Sequence, residues 1–215
     1  MEPDAVEIRV VGCLLEKQRT TPDAYPLSLN ALRVACNQAT NRDPVVEYDE
    51  ATVVEALRRL ALRGWTRLAS GAGSRARKYR HLLNEALGLD DAELSLLAVL
   101  MLRGAQTPGE LKQRTERLHG FPSLAAVHET LEGLIEKGQV ERLPRRPGQK
   151  EERYRHLLGS DEESVTAEPV EVSPSFEVAP EDMDAGAAES RLERLERELG
   201  ELRAEVRQLR EALGD

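Results

Sequence analysis

Apolar residues recur at helical spacing at Ile8, Val11, Leu14 and Leu15, and again at Leu94, Leu97, Leu100 and Met101, so each stretch predicts an amphipathic first helix. A second helix is predicted after each. Ser28 can cap a helix over 29–38, and Thr107-Pro108-Gly109-Glu110 reads as a capping box with proline in the first turn. A third begins near Asp49 or Ser123, buries Val53, Leu57 and Leu60 or Val127, Leu131 and Leu134, and stops at Gly64 or Gly138. The period then shortens to two. Residues 65–69 and 77–82 read as strands around Gly71-Ala72-Gly73, and residues 139–143 and 153–157 as strands flanking Pro147-Gly148.

The two sets of elements are copies of one module. Residues 7–22 match residues 93–108 at an offset of 86, and residues 78–83 match residues 153–158 at an offset of 75. The first copy, 7–83, therefore carries 11 residues more than the second, 93–158. Some of that excess is expected between its second and third helices. Three helices and a hairpin describe a winged helix-turn-helix, so the predicted fold is mainly α with small β-hairpins, one winged helix over 1–83 and another over 90–158. Modules this small have marginal cores, and the copies are expected to pack on each other.

The pattern changes after residue 158. Residues 159–190 hold ten acidic residues, no basic ones and three prolines, the composition of a disordered acidic linker. Leu192, Leu195, Leu199, Leu202, Val206, Leu209 and Leu213 then alternate by threes and fours, the a/d pattern of a coiled-coil helix over 191–213. In a parallel homodimer the g/e pairs Arg191 with Glu196, Glu198 with Arg203 and Glu205 with Arg210 all attract. The alternative is an amphipathic helix docked on its own chain.

The net charge of -9 hides a division. Residues 1–158 hold 24 Lys and Arg against 22 Asp and Glu, whereas residues 159–215 hold 6 against 17. Residues 57–83 contain eight cations and no acidic residue, a candidate polyanion footprint. The longest apolar run, 94–102, is too short to span a bilayer, and the acidic opening lacks the features of a signal peptide, so a cytoplasmic protein without a membrane partner is expected. Cys13 and Cys36 form no Cys-x-x-Cys pair and read as buried reduced thiols. The four histidines form no ligand set, and Gly71-Ala72-Gly73-Ser74 lacks the lysine and following helix of a phosphate loop. No cofactor, metal or catalysis is expected. His81 and His156, equivalent in the repeat, are expected to share a structural role.

The strings Gly12-Cys13-Leu14-Leu15-Glu16-Lys17, Thr20-Thr21-Pro22-Asp23, Tyr25-Pro26-Leu27-Ser28-Leu29-Asn30, Ala35-Cys36-Asn37-Gln38 and Asn41-Arg42-Asp43-Pro44-Val45 stand in the first copy. With 102–111 of the second, LRGAQTPGEL, they make the chain resemble the YceH-like family of bacterial proteins. The resemblance implies tandem winged helices and brings no activity with it.

The residues favour a DNA-binding regulator in which the first copy binds. Arg75, Arg77, Lys78 and Arg80 of its wing suit phosphate contacts, with Arg75 and Arg77 on a face that Tyr79 would continue. Asn37, Gln38, Asn41 and Arg42, between its second and third helices, can supply base or sugar contacts or can bond their own backbone. Arg58 and Arg59 lie toward the end of its third helix. The third helix of the second copy turns Glu129, Glu132 and Glu136 outward, a face that repels phosphate, so this copy reads as scaffold. The alternative is a non-catalytic adaptor whose winged helices and coiled coil bind protein partners.

Overall fold

The computed structural model describes residues 2–69, 77–145 and 151–159. Arg75, expected in a wing, residues 160–190 of the expected acidic linker and the leucines from Leu192 to Leu213 expected in a coiled coil lie outside them. In the first half, α1 (Ala5–Thr20), a 3-10 turn (Pro22–Ala24), β1 (Leu27–Ser28), α2 (Leu29–Cys36) and α3 (Glu50–Leu62) lead into β2 (Thr66–Leu68) and β3 (Lys78–His81). After the short α4 (Leu83–Leu87), the second half repeats the order with α5 (Asp91–Arg103), α6 (Pro108–Thr115), α7 (Leu124–Glu136), β4 (Val140–Leu143) and β5 (Arg153–His156). The described chain is thus mainly helical with small antiparallel sheets, and none of its helices is long and apolar enough to cross a membrane.

Matching chemistry starts the first helix of each half. Asp4 and Glu7 form a capping box at α1, and Asp90 and Glu93 form one at α5. Both glutamates are buried and tied to the end of the third helix of their own half. Glu7 meets Arg63 at 3.2 Å and Glu93 meets Lys137 at 2.6 Å, and each cation precedes a glycine in the left-handed region, Gly64 or Gly138.

The offset between equivalent positions shows where the halves differ. It is 86 at Glu7 and Glu93, 79 at the caps Ser28 and Thr107, 74 at the caps Asp49 and Ser123, and 75 at Tyr79 and Tyr154. Seven extra residues therefore precede α2, five separate α2 from α3, and the hairpin is one residue shorter. Thr21-Pro22 consequently opens the 3-10 turn rather than the second helix, which Ser28 caps. The inserted segment brings β1 onto β3, giving the sheet order β1-β3-β2. In the second half, a single bridge between Gln106 and Tyr154 stands beside the β4-β5 pair.

The two halves share one hydrophobic core, and α1 packs along α5 at its centre. Residues 7–15 and 93–102 are buried without interruption, which is why both helices are apolar on more than one side. At Gly12 an added Cβ would lie 3.1 Å from the Met101 Cβ and from the Leu102 Cδ2.

The two histidines play matching parts. The Leu83 amide donates to Nδ1 of His81 at 3.3 Å, and the Leu158 amide donates to Nδ1 of His156 at 3.4 Å. His81 also places Nε2 2.6 Å from Oε1 of Gln18. Burial, with Arg19 and Arg80 nearby, brings its pKa from an ordinary 6.5 down to about 4. Between these values the unfolded chain binds more protons than the folded one. The stability contributed by the neutral ring is complete above pH 6.5 and is lost as pH falls through about 4. Between pH 7 and pH 5, urea unfolding should show a loss of about 2 kcal/mol that His81→Gln lacks. Equal losses in the two proteins would place the titration elsewhere.

Candidate functional site

The register of the first hairpin sets Arg67 of β2 directly opposite Arg80 of β3. Like charges at opposed positions of an antiparallel pair repel each other. Arg80 has Glu85 at 3.7 Å, but its Nε is buried without a hydrogen-bond partner among the described residues. Arg67 and Arg77 are exposed and meet no carboxylate among the described residues. Lys78 and Arg80 occupy the face opposite Tyr79 and His81, and Tyr79 packs against the core. Arg75 lies outside the described residues and Arg77 precedes the strand, so the face that they were expected to share with Tyr79 is seen only at Tyr79. The strand begins at Lys78, Tyr79 turns inward, and the outward cation opposite Arg80 is Arg67.

The second hairpin has neutralised the same positions. Arg155, the equivalent of Arg80, faces Glu141 and forms an ion pair with it. Arg142 pairs with Glu132 and, at 3.5 Å, with Glu152, while Arg145 lies 3.8 Å from Glu152. Glu129, Glu132 and Glu136 are exposed on α7 as the helical spacing predicts. The two hairpins share a strand plan and differ in net charge.

The segment between α2 and α3 is turned inward. Asn37 donates from Nδ2 to the Tyr48 carbonyl at 2.8 Å and accepts from the Tyr48 amide at 2.9 Å, so it closes the loop as a backbone pair would. The guanidinium of Arg42 is buried, and all five of its N–H donors have partners. Nε donates to the Ala35 carbonyl at 3.1 Å; Nη1 to Glu16 Oε1 at 3.1 Å and the Asn41 carbonyl at 2.8 Å; Nη2 to Glu16 Oε2 at 2.6 Å and Gln38 Oε1 at 3.0 Å. In this arrangement Arg42 and the Oε1 of Gln38 hold the loop to α1, and the five donors of Arg42 are all engaged within the protein. Asn41, at φ 61°, is the one non-glycine residue with positive φ among the described residues, and its side chain accepts from Arg103. On α3, Arg58 is paired with Glu55 at 2.7 Å and Arg59 with Asp4 at 2.5 Å.

The DUF480 family, described as a protein of unknown function, matches residues 4–149. The chain belongs to this family. A UPF0502 protein of Geotalea uraniireducens is 48% identical to it over 201 residues, covering 93% of this chain and 89% of the relative. Another from Pelobacter propionicus is 46% identical, covering 97% and 94%, and one from Cronobacter sakazakii is 44% identical, covering 98% and 97%. The resemblance to the YceH-like family agrees with these relatives.

Within this DUF480 chain, the strings 41–45 and 102–111 meet although they are far apart in sequence. The Asp43 amide donates to the Leu102 carbonyl at 2.8 Å, and Arg103 binds Asn41 beside it. Cys13 and Cys36 are free buried thiols, and no group of His, Cys, Asp and Glu able to hold a metal ion occurs among the described residues. Sequence reading did not single out Arg67. It is one charge in the cationic run 57–83, and that Arg80 stands opposite it depends on a register that no local signal fixes.

Proposed function

We propose that this chain is a cytoplasmic, non-catalytic DNA-binding regulator built from two winged helix-turn-helix modules, with the hairpin of the first as its phosphate-binding element. The carrying observation is the contrast between Arg67 opposite Arg80 in one hairpin and Glu141 paired with Arg155 in the other. A cation pair left opposed by the sheet is relieved by an anion placed across it, and a duplex presents phosphates in a row. Lys78 continues the face of Arg80 and Arg77 adjoins it in sequence, and residues 191–213, read as a coiled coil, would join two such chains as a parallel dimer. The cations of α3 are already paired, so the reading supports backbone contacts and leaves sequence readout unassigned.

Fluorescence anisotropy on an arbitrary duplex tests it. A dimer that neutralises three or four phosphates per protomer should give log K against log salt with a slope of about -5 to -7. Reversing Arg67, Arg77 and Arg80 to Glu should weaken binding roughly 30-fold, and reversing Arg142 and Arg145 less than about threefold. Absence of salt-dependent binding, or equal losses from the two sets, overturns the reading. The adaptor reading draws on a different observation, the exposed apolar side chains Val54 and Leu62 of α3, which are 45% and 77% exposed. It gains if DNA binding fails.

A further inference from the structure

A cavity of about 350 Å³ opens where the two halves meet, between the end of α1, the loop at Asn41, α5 and α6. Its lining is of two kinds. Val99, Leu102 and Leu118 are among its apolar lining residues, and Arg103, Arg114 and Arg117 line it with the single carboxylate of Glu16. A second cavity of about 340 Å³ shares Asn41, Arg103 and Arg114 with the first and adds Arg153.

Three carboxylates line the two cavities, Glu16, Asp43 and Glu110, against the five cations Arg42, Arg103, Arg114, Arg117 and Arg153. Glu16 has both oxygens on Arg42. Glu110 is divided between Arg114 and Arg153, at 3.6 Å from each. Arg117 has no partner among the described residues, and Arg103 bonds only a neutral amide oxygen, that of Asn41. Burial, with the neighbouring charges of Arg114 and Arg42, holds the Arg103 pKa below its ordinary value against the opposing pull of Glu16 and Asp43. Asn41 reaches this place from a left-handed backbone, a conformation that structures retain where the surroundings over-determine it.

We propose that the cavity between the two halves binds a small organic anion, with a phosphate or carboxylate head held by Arg103, Arg114 and Arg117 and an apolar body against Val99, Leu102 and Leu118. Guanidinium groups match both heads through paired N–H donors, and the volume lies within the range of small-molecule sites. These six contacts all come from the second half, and the first half completes the cavity with Glu16, Thr20 and Asn41. The assignment is separate from the DNA reading, because no residue of the cavity belongs to the first hairpin.

Titration calorimetry on the full chain tests it with phenyl phosphate and benzoate as probes, against inorganic phosphate and acetate at matched ionic strength. At least one aromatic probe should bind roughly tenfold more tightly than its small counterpart, because only it reaches the apolar residues. Tighter binding of phenyl phosphate identifies a phosphate head, and tighter binding of benzoate a carboxylate head. The double variant Arg114→Gln, Arg117→Gln should lose about tenfold or more in affinity. Arg117→Gln alone, at an exposed position, should lose a smaller part and covers the case in which the double variant folds poorly. The proposal is overturned if neither aromatic probe binds at millimolar concentration, if it binds no better than its small counterpart, or if Arg117→Gln leaves the affinity unchanged.

Discussion

Replacing Arg42 by methionine is expected to destabilise the protein by about 3–5 kcal/mol, a fall of roughly 10 °C in melting temperature for a unit of this size. The guanidinium is fully buried and Glu16, its partner, is only 14% exposed. Burial acts to raise the Glu16 pKa, but the hydrogen bonds and charge of Arg42, with Lys17, carry it below the usual carboxylate range. Without Arg42 that largely buried carboxylate keeps only Lys17, at 3.4 Å, in place of a bidentate guanidinium, and the Ala35 and Asn41 carbonyls lose their donor. Urea unfolding at pH 7 reads the loss. Adding Glu16→Gln to Arg42→Met should recover about 1 kcal/mol or more, since it removes the stranded charge. A loss below about 1 kcal/mol in the single variant would mean that water reaches Glu16 and that Arg42 does not hold the loop.

Gly12→Leu is expected to cost about 3 kcal/mol or more, whereas Gly12→Ala should be close to neutral. A glycine in mid-helix carries a penalty of about 1 kcal/mol relative to alanine, so its presence in α1 needs a reason. The reason is the 3.1 Å approach of the added Cβ to Met101 and Leu102 of α5. Alanine regains helix propensity while α5 yields by a few tenths of an ångström, and the two effects offset each other. Leucine adds three further carbons with no space to receive them, and α1 must separate from α5. Thermal unfolding of the two variants separates crowding from propensity. Equal behaviour of Ala and Leu would show that the two helices are not in close contact at Gly12.

The elements legible in the sequence were those whose signal is local. Helical spacing located α1, α3, α5 and α7, and Ser28, Asp49 and Thr107 cap helices as their side chains predict. The features that escaped depend on distant partners. β1 is two residues long, too short to show a period, and exists because an insertion carries Leu27 to Tyr79. Arg42 looks like any polar loop residue until Glu16, 26 positions earlier, is brought against it. The cavity is closed by Asn41 and Arg103, 62 positions apart, and neither stretch alone announces a site.

The close contact of α1 with α5 also bears on the entropy of binding. With nine consecutive buried residues of one helix set against ten of the other and an added Cβ at Gly12 only 3.1 Å from Met101 and Leu102, any motion of one half against the other would have to open this packing. A ligand or partner that engages both halves meets a gauge fixed before it arrives, so little conformational freedom remains to be lost on association. Selectivity then comes from fit to that spacing, and a partner of the wrong dimension is refused by geometry rather than accommodated by bending.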